Sequence, residues 1–106
     1  MKIGIVIHSN ESETVWNAFR LGSYALDQGD EVKIFLLGKG VECEQLNTNK
    51  FNVISQMETF HNKSGEILAC GTCLEIRKSE GSDICPISTM QDLYNIVNQS
   101  DKLLTF

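Results

Sequence analysis

The 106-residue chain is short of basic side chains, with 9 Lys and Arg against 14 Asp and Glu. A formal net charge of −5 and the absence of any basic cluster exclude a nucleic-acid surface. There is no apolar run near the roughly 20 residues that span a bilayer, so no membrane association is expected. The hydrophobic start at Ile3–Ile7 is too short for a signal peptide, and no cleavage site follows it. A cytoplasmic setting is therefore expected, in which Cys43, Cys70, Cys73 and Cys85 stay reduced unless they bind metal or do redox work. The Asn-X-Ser triplets at Asn10, Asn62 and Asn98 are then chance matches to a glycosylation site. Cys70 and Cys73 form one Cys-X-X-Cys half-site without a second half, which makes classical zinc ligation weak. Gly38-Lys39-Gly40 lacks the rest of a phosphate loop. No Ser-His-Asp set is assignable from residue order, and no metal or cofactor is expected.

What is present alternates. Lys2–His8 is apolar almost throughout, as in a strand covered on both faces. Asn10 and Glu13 read as a capping box, followed by Val15, Ala18, Phe19, Gly22, Ala25 and Leu26 at helical spacing up to Gly29. Glu31–Leu37 is a second strand, and Val41–Asn49 a polar connection with one short helical turn. Lys50–Asn62 is a second helix, Glu66–Ala69 a third strand, and Gly71–Ser79 a short third helix. Asp83–Pro86 is expected as a fourth strand. Ser88 is expected to cap a last helix, with Gln91 returning the bond and Met90, Leu93, Tyr94 and Val97 as its buried stripe. Lys102–Phe106 is a final strand. The pattern predicts a single α/β domain over residues 1–106, a mostly parallel sheet with helices on both faces and right-handed crossovers.

Ligands of open parallel sheets sit beyond the carboxyl ends of the strands. His8, Gly38, Cys70 and Cys85-Pro86 fall at those ends. The segment Ile67-Leu68-Ala69-Cys70-Gly71-Thr72-Cys73-Leu74-Glu75-Ile76-Arg77 carries the strongest chemical signal. It places Cys70 where a strand hands over to a helix, facing unpaired N–H groups and the positive end of the dipole. A thiol so placed tends to ionise near neutral pH. The competing reading is a small buried hydrophobe. Gly71 and Thr72 offer backbone N–H groups with little steric cover. Cys73, one turn on, either cycles with Cys70 between dithiol and disulfide or simply packs. His8 either relays a proton to the thiol or ends its strand in solvent. Arg77 either holds an anionic sulfur acceptor or is a solvated helix charge. Cys85 either resolves a disulfide, completes a metal site or packs within its strand. Cys43, among acidic neighbours that raise a thiol's pKa, reads as incidental. His61 reads as structural, and Trp16, beside the core stripe of the first helix, as a subunit-contact residue.

The strand ending in His8, the Asn10-Glu11-Ser12 turn and a helix with Trp16 and Ala18 resemble the small DsrE/DsrF-like proteins of sulfur metabolism. The Cys70–Arg77 segment, the Gly29-Asp30-Glu31-Val32 strand entry and Ser88-Thr89-Met90-Gln91-Asp92-Leu93 strengthen the likeness. The resemblance implies a three-layer α/β/α sandwich with a five-stranded sheet, flavodoxin-like in appearance. It also implies homo-oligomers or mixed assemblies, trimers and hexamers among them. Its members with a known role carry sulfur as a persulfide on a cysteine placed like Cys70. Such a carrier exchanges sulfur with donor and acceptor proteins or small thiols. Sulfur-relay members need no cysteine at the Cys73 position, and this chain resembles a branch with a Cys-Gly-X-Cys segment.

The expected function is thus that of a cytoplasmic sulfur carrier or sulfurtransferase-like protein. Its catalytic candidates are Cys70, Cys73 and His8, and its substrate-binding candidates Gly71, Thr72 and Arg77. One alternative is a thiol–disulfide oxidoreductase. The fifteen residues between Cys70 and Pro86 leave too little chain for the helix and connection that the thioredoxin fold places there. A non-catalytic assembly subunit is the other alternative.

Overall fold

The computed structural model describes all of residues 1–106. Five strands form one parallel sheet: β1 (Lys2–Ile7), β2 (Glu31–Leu36), β3 (Glu66–Cys70), β4 (Ile87–Ser88) and β5 (Lys102–Thr105). Their spatial order is β4-β3-β2-β1-β5. Helices α1 (Ser12–Asp27), α2 (Val53–Asn62), α3 (Gly71–Ile76) and α4 (Met90–Gln99) lie between strands, and a 3-10 segment, Gly38–Gln45, follows β2. No helix is long and apolar enough to cross a membrane.

The chain steps β1 to β2 to β3 to β4 in one direction, then returns across the sheet to β5. Right-handed crossovers require the returning helix to change faces. Accordingly, strand residues Ile5, Ile7, Ile34, Leu36, Ile67 and Ala69 form one core with Val15 and Phe19 of α1 and Met57 and Phe60 of α2. Phe35 and Cys70, pointing the other way, meet Ile96 of α4. The first core is thick and includes an edge-to-face pair, Phe19 and Phe60, with centroids 5.9 Å apart. Full burial of such a side chain is worth roughly 2–3 kcal/mol. The second core is thin because α4 covers that face alone.

Three local expectations change. The α1 cap is Glu11 rather than Asn10, its carboxylate accepting the Thr14 N–H at 2.6 Å. Thr89 rather than Ser88 caps α4, while the Ser88 hydroxyl donates to Asp92 Oδ2 at 2.5 Å. In each case the side chain that reaches the free amides lies one residue nearer the helix. Residues 83–86 are not a strand. Ser82 and Cys85 exchange two backbone hydrogen bonds of 3.1 Å, closing a tight turn that confines β4 to Ile87–Ser88. A two-residue strand is a common way to end a sheet without a sticky edge.

The expected buried stripe of α4 is also corrected. Only Ile96 is buried, whereas Met90, Tyr94 and Val97 are 63 %, 66 % and 47 % exposed. Gly4 explains the seating. A Cβ there would lie 2.7 Å from both Ile96 Cγ2 and Ser100 Oγ, so α4 approaches β1 only because no side chain intervenes. Gly4→Ala should therefore overpack this contact at a cost of about 1–3 kcal/mol. Thermal denaturation followed by circular dichroism checks this. An unchanged midpoint would mean that α4 does not sit there.

Candidate functional site

Strand β3 ends in Cys70, which is also the residue preceding the first turn of α3. The connections after β3 and β4 diverge, the first to α3 and the second over the opposite face through α4. This divergence is where open α/β sheets place ligands. An open crevice of about 750 Å³ lies there, lined by Gly71, Thr72, Lys78, Ser88, Thr89 and Met90 among others. The floor is tight, because a Cβ on Gly71 would stand 3.0 Å from Ile87 Cγ2 and 3.1 Å from the Ser88 carbonyl oxygen.

Cys70 pairs with Ser88 across the sheet edge. Its side chain packs with Phe35 and Ile96, next to Leu68, Cys73 and Leu93, and the residue is only 4 % exposed. The amides of Thr72 and Cys73 lie near enough to favour the ionised sulfur, although the Cys70 side chain makes no capping hydrogen bond to α3. Burial outweighs them, and the neighbouring Cys73 thiol adds to it. The Cys70 pKa is raised above the ordinary thiol value of 9.0. The expected ionisation near neutral pH is therefore corrected. Geometry at the strand-to-helix handover is as anticipated, but α3 runs for only six residues, to Ile76 rather than Ser79. Lys78, with φ 51°, turns the chain out of the helix.

Cys73 is half-buried. Its sulfur accepts a hydrogen bond of 3.2 Å from the Gly38 amide, presented by a glycine with φ +56° just beyond β2. Arg77 donates to the Cys73 carbonyl oxygen at 3.1 Å and to Glu42 Oε2 at 2.7 Å. The guanidinium thus braces the turn between the 3-10 segment and α3. In return the Arg77 hydrogen bond, with help from Asn10, holds the Glu42 carboxyl below its ordinary pKa. His8 is exposed at the end of β1, its backbone N–H bonded to the Phe106 carbonyl oxygen at 2.8 Å. Strand β2 lies between β1 and β3, which sets His8 about 10 Å from the Cys70 strand.

The other two cysteines form a group of their own. Cys43 is not a loop thiol among acids but is fully buried, and Cys85 is 2 % exposed in the same core. The Cys43 thiol donates towards Met57 Sδ at 3.6 Å. The neighbouring Cys85 thiol and then burial push the Cys43 pKa up, ahead of any effect of Glu44. This core lies across the sheet from Cys70. Trp16, expected at a subunit contact, packs within the chain between Phe51, at 5.3 Å, and Arg20, at 4.4 Å. Glu42 and the Gly38 amide are site groups that residue type alone did not flag. Gly38 was legible only as a strand-end glycine, and Glu42 had no signal.

The chain is thus an α/β protein with a doubly covered parallel sheet and a Cys-X-X-Cys pair at its carboxyl edge. The DsrE/DsrF-like family model matches residues 1–106, and the chain belongs to that family. An uncharacterised protein of Methanopyrus kandleri is 33 % identical over 100 residues, covering 89 % of this chain and 83 % of its own length. An uncharacterised protein of Methanocaldococcus jannaschii is 32 % identical over 100 residues, covering 89 % and 88 %. Among solved structures, the ychN protein from E. coli superposes with a TM-score of 0.87 at 25 % identity, covering 100 % of this chain and 99 % of that one. A conserved protein of unknown function from Bacteroides thetaiotaomicron has the same fold, with a TM-score of 0.78 at 20 % identity, covering 99 % and 94 %. Family membership suggests a role of the sulfur-relay type.

The geometry orders the thiols by access. In iodoacetamide labelling of the folded protein at pH 7, Cys73 should react first and Cys70 much more slowly. Cys43 and Cys85 should react only on unfolding. Peptide mass mapping against time checks this, and early labelling of Cys43 would contradict the burial described.

Proposed function

We propose that this protein carries sulfur as a persulfide on Cys70 and passes it to an acceptor, with Cys73 as the accessible neighbouring thiol. The observation that supports this most is the position of Cys70, buried under α4 yet next to Gly71 in the chain and paired with Ser88, both of which line the crevice between β3 and β4. In loading, the Cys70 sulfur attacks the outer sulfur of a donor perthiol. The bond between the donor's two sulfurs breaks, and the donor departs as a thiolate that takes up the Cys70 proton. Delivery reverses these steps towards an acceptor thiol. The amides of Thr72 and Cys73 stand ready for the charge on the perthiolate, which is a weaker base than a thiolate. Burial keeps the stored sulfur from water and from passing thiols. Donor and acceptor are proteins or small thiols that enter beside Gly71 and Thr72, in a cytoplasmic setting.

The packing of Cys73 against Cys70 in the second core supports a second reading, thiol–disulfide exchange through this pair. One experiment separates the two. After incubation with a persulfide donor, intact mass should rise by about one sulfur, on Cys70. Cys70→Ser should abolish the gain and Cys73→Ser should retain it. A Cys70–Cys73 disulfide with no sulfur-loaded species, even in Cys73→Ser, would favour exchange. Equal loading of Cys70→Ser would refute the carrier reading.

We also infer self-association, in trimers or hexamers. Support comes from the exposed Tyr94 and Val97 of α4 and from Leu103 and Leu104 of edge strand β5, 40 % and 38 % exposed. Sedimentation should give a mass of several protomers, and Tyr94→Asp with Val97→Asp should lower it. A monomeric wild type would overturn this.

A further inference from the structure

Cys43 and Cys85 are the two thiols that sulfur transfer at Cys70 leaves unused. They come from elements far apart in sequence, the Gly38–Gln45 segment and the Ser82–Cys85 turn. These elements already touch, since Ser82 Oγ donates to Glu44 Oε1 at 2.9 Å. Both thiols lie in the same core cluster, near enough for Cys85 to be the largest influence on the Cys43 thiol, and Met57 Sδ lies 3.6 Å from Cys43 Sγ. Cys85 also lines a cavity of about 270 Å³ whose other lining includes the polar Glu44, Gln45, Ser79 and Glu80. That space admits water-sized molecules. The paired sulfurs and the polar access to one of them together define a site for a small oxidant.

We propose that Cys43 and Cys85 are a disulfide-forming pair that hydrogen peroxide closes, locking the 3-10 segment to the turn before β4. The Cys85 sulfur attacks one peroxide oxygen as its proton passes to the departing oxygen, the O–O bond breaks and water leaves, giving a sulfenic acid. The Cys43 sulfur then displaces that hydroxyl as water, its proton leaving with it. Two thiols are oxidised by two electrons, and one peroxide is reduced to two waters overall. The lock acts on the sulfur site through its own segment. Gly38 bonds the Cys73 sulfur, and Glu42 holds the Arg77 that holds the Cys73 carbonyl. The crosslink therefore fixes the groups that set the reactivity of Cys73.

The test uses Cys70→Ser with Cys73→Ser, which removes the outer pair, so its outcome is independent of the carrier reading. Hydrogen peroxide on the folded variant should lower the intact mass by about 2 Da, reversibly by dithiothreitol. Non-reducing peptide mapping should join Cys43 to Cys85, and the thermal midpoint should rise. In the wild type, the same mapping should find this link and a changed Cys73 alkylation rate. The wild-type mapping alone decides the matter if the variant does not fold. Sulfinic acid on Cys85 without the link, or a link formed only in denaturant, would overturn the proposal.

Discussion

The contest at Cys70 between burial and backbone amides governs this site. The end of β3 delivers the thiol to the carboxyl edge of the sheet, and the first amides of α3 face it. Phe35 and Ile96 take it out of water at the same time. Desolvation is the larger effect, so the thiol rests neutral. A resting neutral thiol is a poor nucleophile in solution. In the carrier role proposed above, the amides of α3 would act on the charge of the loaded perthiolate.

The fold makes that contest possible through one topological step. The chain lays α1 and α2 on one face, then reverses and puts α4 on the other. Gly4 lets α4 sit close, and Ile96 closes over Phe35 and Cys70. The thin second layer leaves Tyr94, Val97 and side chains of β5 open to solvent. The two thiol pairs sit on opposite sides of the sheet. The 3-10 segment after β2 touches both, through Gly38 and Glu42 on one side and Cys43 on the other, and so does α3, through Cys73 and Leu74.

Much of this was readable from residue types. Strand–helix alternation, the apolar first strand and Gly29 gave the parallel α/β order, and Ala69-Cys70-Gly71 gave the handover. The misreadings share a cause, since they depend on tertiary partners. Tyr94 and Val97 have helical spacing, but the sheet beneath α4 offers only Gly4 and neighbours enough for one residue, Ile96. Cys85-Pro86 has strand-like flanks, yet Ser82 claims Cys85's backbone bonds. Cys43 stands among glutamates in sequence and among Met57 and Cys85 in space. The direction of the Cys70 shift depends on Phe35 and Ile96, 35 residues before it and 26 after it in the chain, and no local pattern reports them.

A pH titration of Cys70, followed through its Cβ resonance before and after sulfur loading, tests the central claim most directly. The free thiol should titrate above its ordinary value, and the loaded perthiol should be ionised at neutral pH. A free Cys70 already ionised at neutral pH, or a loaded one that stays protonated there, would contradict it.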